Sequence, residues 1–136
     1  MILTNITNPQ DPYYQAITEL QRLRNGRIVR FDGTVKSALP ELKVIRPRYM
    51  AVAVKPEIIE EIFAYDIFTL AREVASSTGV DLSYGLLTGA TADDVLGYVQ
   101  RIEMWEREGK AKKATFRAYF STSEGAFVRS WQPDDA

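Results

Sequence analysis

The chain contains no histidine and no cysteine. Without imidazole it has no Ser-His-Asp or Cys-His machinery, no histidine ligand for zinc and no histidine pH switch. Without thiols it has no disulfide, no thiolate nucleophile and no thiolate metal centre. Long apolar runs are missing as well. The longest, Tyr49 to Val54, falls far short of the roughly 20 residues a helix needs to cross a bilayer. Met1-Ile2-Leu3-Thr4-Asn5 has neither the basic start nor the apolar core of a secretory signal. The expectation is a cytoplasmic or intracellularly assembled protein, a virion component included, without membrane contact.

A strong net charge is also lacking. At −1 overall, the molecule has no general pull toward nucleic acid or membrane. The charge is uneven, however: +5 over residues 1–55, −8 over 56–109 and +2 over 110–136. An acidic centre between basic ends can pair within the fold, or head to tail between copies. The 136 residues predict one domain, 1–136, large enough to bury a core without metals or disulfides. An extended arm over 1–10 and a polar tail over 132–136 are expected at its ends.

What the chain does have is a long apolar stretch with helical spacing, Pro56 to Gly79. Pro56 suits a first helical position, and Glu57, Glu60 and Glu61 complement the helix dipole at its start. Gly79 suits the residue just past the end. Ile59, Phe63, Ile67, Leu70 and Val74 form one stripe at three- and four-residue spacing and should face a sheet. Tyr65 and Phe68 fall on the far side, among Glu57, Glu61 and Arg72, where they would meet either a second helix or another chain.

Elsewhere the punctuation predicts two more helices. Asp11-Pro12 starts one over about 12–24, with Tyr13, Ala16, Ile17, Leu20 and Leu23 inward and Asn25-Gly26 at its end. Thr91 and Asp94 form a capping box for a helix over about 92–108. Asp32-Gly33 reads as a hairpin turn between short strands, and Leu42 to Val54 as a long strand interrupted at Pro47. Val80 to Ala90 shows no period and reads as a loop. Residues 114–122 alternate, Ser123-Glu124-Gly125 turns, and 126–131 returns. The expected fold is α+β: a mainly antiparallel sheet from two β segments, about 27–54 and 114–131, with three helices, about 12–24, 56–78 and 92–108, packed mostly on one face.

Few residues converge on chemistry. Asp66 and Glu73 share a helix side but stand about 10.5 Å apart along its axis, too far for paired glycosidase carboxylates at about 5–9.5 Å. Asp93-Asp94 and Asp134-Asp135 match no calcium loop. Thr88-Gly89-Ala90-Thr91 leads into a helix start but lacks the Gly-Lys-Ser/Thr of a phosphate loop. No cofactor, no metal and no catalytic set of Asp, Glu, Lys, Tyr or Ser is expected, so the chain reads as non-catalytic.

Two surfaces remain. Phe127, Arg129 and Trp131, with Tyr65 and Phe68, have the residue types of protein interfaces. Arg117, Tyr119, Arg129 and Trp131, joined by Arg46 and Arg48, offer strand-borne aromatics and guanidinium groups suited to stacking and phosphate contact. The leading expectation is a non-catalytic protein–protein interaction or assembly protein that self-associates, such as a connector or tail part of a virus or phage. The alternative is a regulatory or anti-defence protein that binds nucleic acid or a nucleotide-like phosphorylated ligand through the basic-aromatic face.

Overall fold

Short apolar runs alternate with helices along the first hundred residues. In the computed structural model, which describes residues 1–109, 120–122 and 125–127, these runs lie side by side as parallel strands. The order along the chain is β1 (Ile2–Thr4), α1 (Pro12–Arg24), β2 (Ile28–Arg30), a 3-10 turn (Val35–Ala38), α2 (Leu39–Ile45), β3 (Tyr49–Ala53), a second 3-10 turn (Pro56–Ile58), α3 (Glu61–Thr78), β4 (Ser83–Leu87) and α4 (Ala92–Arg107). The strands form one sheet in the order β2-β1-β3-β4, every pairing parallel. Strands β5 (Phe120–Thr122) and β6 (Gly125–Phe127) form a separate antiparallel pair. The chain divides into two compact units, Met1–Ile102 and Glu103–Ala136.

The expected antiparallel α+β sheet with three helices is therefore corrected to α/β, with a four-stranded parallel sheet and four helices. The physical reason lies in the connections. Each strand is followed by a helix, and a strand that returns through a helical crossover lies parallel to the one it left. The helices also cover both faces. Leu3, Val29, Met50, Val52 and Val54 point to one face, where they pack with Leu42 of α2 and with Ile67, Leu70 and Val74 of α3. Ile2 and Ala53 point to the other, with Ala16, Ile17 and Leu20 of α1 and Val95 and Val99 of α4. Winding starts in the middle, runs out to β2, then reverses past β1 to β3 and β4. Right-handed crossovers then put α1 on one face and α2 and α3 on the other.

Local chemistry explains three further corrections. Asp32-Gly33 does not close a hairpin: Gly33 takes a left-handed φ of 64°, and the Asp32 N–H donates to Ser37 Oγ at 3.0 Å, leading into the 3-10 turn. The expected long strand over 42–54 is half helix. Leu39, Leu42 and Ile45 recur every three residues, Pro40 sits in the first turn, and Arg46 closes α2 in the left-handed region at φ 54°. Only Tyr49–Ala53 is strand. The expected loop at 80–90 contains β4.

The long apolar stretch breaks into a 3-10 turn at Pro56–Ile58 and α3, with Glu60 extended as its N-cap. Gly79 caps the end at φ 68°, as expected. Ile67, Leu70 and Val74 face the sheet, while Phe63 and Ile59 pack at its margin. The cap of α1 also forms as its sequence implies: the Asp11 carboxylate accepts from Tyr13 N at 3.1 Å. So does the box at α4, with Thr91 N donating to Asp94 Oδ2 at 3.0 Å and Asp94 N to Thr91 Oγ1 at 3.2 Å. No helix among the described residues is long and apolar enough to cross a membrane.

Candidate functional site

A parallel strand buried on both faces needs a helix above and below it. At the β4 side of the sheet that cover fails. The register aligns Ile28, Ile2, Ala51 and Gly85 in one row across β2, β1, β3 and β4. Side-chain bulk falls along this row from isoleucine to nothing. The floor under α1 and α4 therefore drops away toward β4, leaving a groove of about 580 Å³. Ile2, Ala51 and Gly85 floor it; Leu20 and Arg24 of α1 and Tyr98 and Ile102 of α4 wall it. A Cβ placed on Gly85 would meet no atom within 4 Å.

The opposite face of β4 is also open. Tyr84 and Leu86 continue the face of Met50 and Val52 outward, and Leu86 is 47% exposed. Within β4 only Leu87 is buried. Tyr49, beside Ser83 at the mouth of the groove, is 75% exposed. Backbone direction completes the site. Ser83 N donates to Arg48 O at 2.9 Å, and Leu87 O accepts from Val54 N at 3.2 Å. Since strand groups alternate sides, the amides and carbonyls of Ser83, Gly85 and Leu87 serve β3. Those of Tyr84 and Leu86 turn to the other edge, where β4 has no neighbouring strand among the described residues.

The carboxyl ends of the strands offer a second concavity, at the point between β1 and β3 where the winding reverses and where doubly wound sheets often hold ligands. It has a volume of about 390 Å³ and is lined by Asn5, Thr7, Asp11, Lys55 and Glu57, among others. The Lys55 ammonium is committed to Asp11 at 2.6 Å, and lies 5.5 Å from the Tyr13 ring centre. The hydrogen bond from Lys55 holds the Asp11 carboxyl below its ordinary range, and the same bond raises Lys55. With Glu57 also at the rim, the described residues lining this crevice supply one positive charge against two negative ones.

Of the residues expected to form interfaces, Tyr65, Phe68 and Phe127 fall among the described residues. Tyr65 is 66% exposed and Phe68 49% exposed on α3, and α4 does not cover them, because α3 and α4 lie on opposite sheet faces. Phe127 falls in β6. Arg129 and Trp131, like Arg117 and Tyr119 of the basic-aromatic set, lie outside the described residues. Arg46 and Arg48 are exposed on either side of buried Pro47, ahead of β3. Asp66 pairs with Lys36 at 3.7 Å rather than with Glu73.

Sequence reasoning missed Tyr49, Tyr84, Gly85, Leu86 and Tyr98. One signal was present: the eleven residues from Leu82 to Ala92 carry no charge, the longest such stretch in the chain. A short apolar run between a helix-ending glycine and a capping box is what a parallel strand looks like. No family model matches the chain, and no curated protein or solved structure matches it.

Proposed function

We propose that this chain is a non-catalytic protein-interaction module that receives an extended strand on β4. The observation that carries the reading is that β4 ends the sheet with the backbone groups of Tyr84 and Leu86 directed outward and apolar surface on both of its faces. In β-augmentation, main-chain hydrogen bonds supply affinity and pockets for alternate side chains supply selectivity. Tyr84 and Leu86 offer apolar contact on one face. The groove behind Gly85 accepts a side chain on the other, with Tyr49 and Tyr98 as amphipathic anchors at its rim. Edge strands that avoid partners carry lysine, proline or a bulge, and β4 has no lysine and no proline.

Hydrogen exchange on the intact chain, read amide by amide across a dilution series, tests this. At high dilution the Tyr84 and Leu86 amides should exchange much faster than those of Gly85 and Leu87. Equal protection of both sets at every dilution means that the edge is already covered within one chain, and the reading fails.

A further inference from the structure

The residues of β4 also specify which strand fits. Resting on the reading of β4 as a docking edge, we propose that its partner is a second copy of this chain, paired antiparallel, β4 to β4, about a twofold axis at Gly85.

The register supports this in three ways. First, the free groups match. With Gly85 on the axis, Tyr84 lies opposite the second copy's Leu86 and Leu86 opposite its Tyr84. These are the residues whose N–H and C=O point outward, so each pair exchanges both of its bonds. Gly85 then meets its own copy in a non-bonded pair, where antiparallel Cα atoms approach to about 4.5 Å. This is the most crowded position on the seam, and it holds the smallest residue. Second, the side chains match. Tyr84 against Leu86 is an aromatic–aliphatic cross-strand pair, made twice by the symmetry. Third, the charges stay apart. The uncharged stretch ends at Asp81 and Asp93. In this register Asp81 falls opposite the second copy's Gly89, so like charges do not face one another.

Flanking helices extend the contact. A stable interface takes roughly 800 Å² from each partner, more than a five-residue edge provides. On the Tyr84 face, Asp66 turns α3 toward the 3-10 turn through Lys36. Phe68, about 200° further round the helix, is on the side of α3 away from that turn and is half exposed. Twofold pairing sets α3 of each copy over the same face of a continuous eight-stranded sheet. On the other face, the two grooves join across Gly85, with Tyr98 at the rim of each.

Because the chain has no cysteine, Gly85→Cys places a single thiol on the proposed axis, at a separation that a disulfide spans. The open space at Gly85 admits the side chain within one copy. The expected result is a dimer by sedimentation equilibrium at tens of micromolar, disulfide-linked dimer from Gly85→Cys under mild oxidation, and a folded monomer from Leu86→Lys at the same concentration. A dimer that survives Leu86→Lys while Gly85→Cys stays uncrosslinked overturns the proposal by placing the contact elsewhere. A monomeric native chain overturns it too. In that case fast exchange at Tyr84 and Leu86 leaves the docking-edge reading standing for an unlike partner, whereas slow exchange there removes both.

Discussion

The Lys55 ammonium lies 2.6 Å from the Asp11 carboxylate, tying the segment after β3 to the N-cap of α1. Tyr13, two residues into the same motif, donates its hydroxyl to the carbonyls of Gly89 and Ala90, both at 3.3 Å, ahead of α4. The α1 start is thus fastened to both neighbouring loops at the carboxyl end of the sheet. Asp11→Asn keeps a good N-cap and removes only the charge pairing. Asp11 is lowered from its ordinary 3.8 in the folded chain, so its contribution is present above that value and fades as pH falls through the folded pKa. Lys55 is raised from 10.5, so its contribution is present below that value and fades as pH rises through the folded pKa. The gap in Tm between the native chain and Asp11→Asn should be widest near neutral pH and close toward both extremes. A gap that does not change between pH 2 and 7 would mean that the pairing contributes nothing.

Thr4 is fully buried in the middle of the sheet, and its hydroxyl accepts from Ile6 N at 3.0 Å where the chain leaves β1. Thr4→Val keeps the volume but strands that buried N–H, which costs about 1–3 kcal/mol. Thr4→Ser keeps the acceptor and should recover most of the loss. Urea unfolding of the two variants reads the difference directly.

Gly85 is an ordinary strand position with open space around it, so the fold of a single copy does not require glycine there. Gly85→Ala should raise the stability of the monomeric chain by about 0.5–1 kcal/mol, while adding bulk at the proposed axis. Chemical denaturation at low concentration measures the first effect and sedimentation the second.

Much of the helical structure was legible because its signals are local. Asp11-Pro12, Asn25-Gly26, Gly79 and the Thr91–Asp94 box each set a boundary by satisfying backbone groups within a few residues. The sheet was not legible from periodicity. Ile2–Thr4 and Ile28–Arg30 are three residues long, too short to show alternation. β4 lacks a buried face, so nothing selected an apolar period in it. Strand–helix order carried the missing information: a strand, a helix and a strand within the first thirty residues already imply a parallel pair. Asp32-Gly33 misled because its left-handed glycine serves a 3-10 entry as well as a hairpin. Helical phase alone puts Tyr65 and Phe68 on the far side of α3 but leaves open whether a second helix covers them; their exposure is a property of the packed structure. The groove at Gly85 depends on which residues of four strands fall in one row, and that register is a long-range property.

The same helical phase separates two kinds of substitution on α3. Leu70 is fully buried against the sheet, so Leu70→Ala should cost about 2–5 kcal/mol. Phe68 is half exposed, with Arg72 5.7 Å from its ring centre. Phe68→Ala should cost within about 1 kcal/mol in the monomer and weaken self-association. Paired denaturation and sedimentation measurements distinguish the buried stripe from the outward one.

The β4 pairing has one signature that no other contact would reproduce. In a dimer assembled from equal amounts of isotope-labelled and unlabelled chain, an isotope-filtered NOE experiment reports only proximities between copies. Twofold antiparallel pairing at Gly85 predicts an intermolecular Hα–Hα cross-peak from Gly85 to itself, flanked by contacts between Tyr84 and Leu86. A dimer with no intermolecular cross-peak anywhere in Ser83–Leu87 would contradict it.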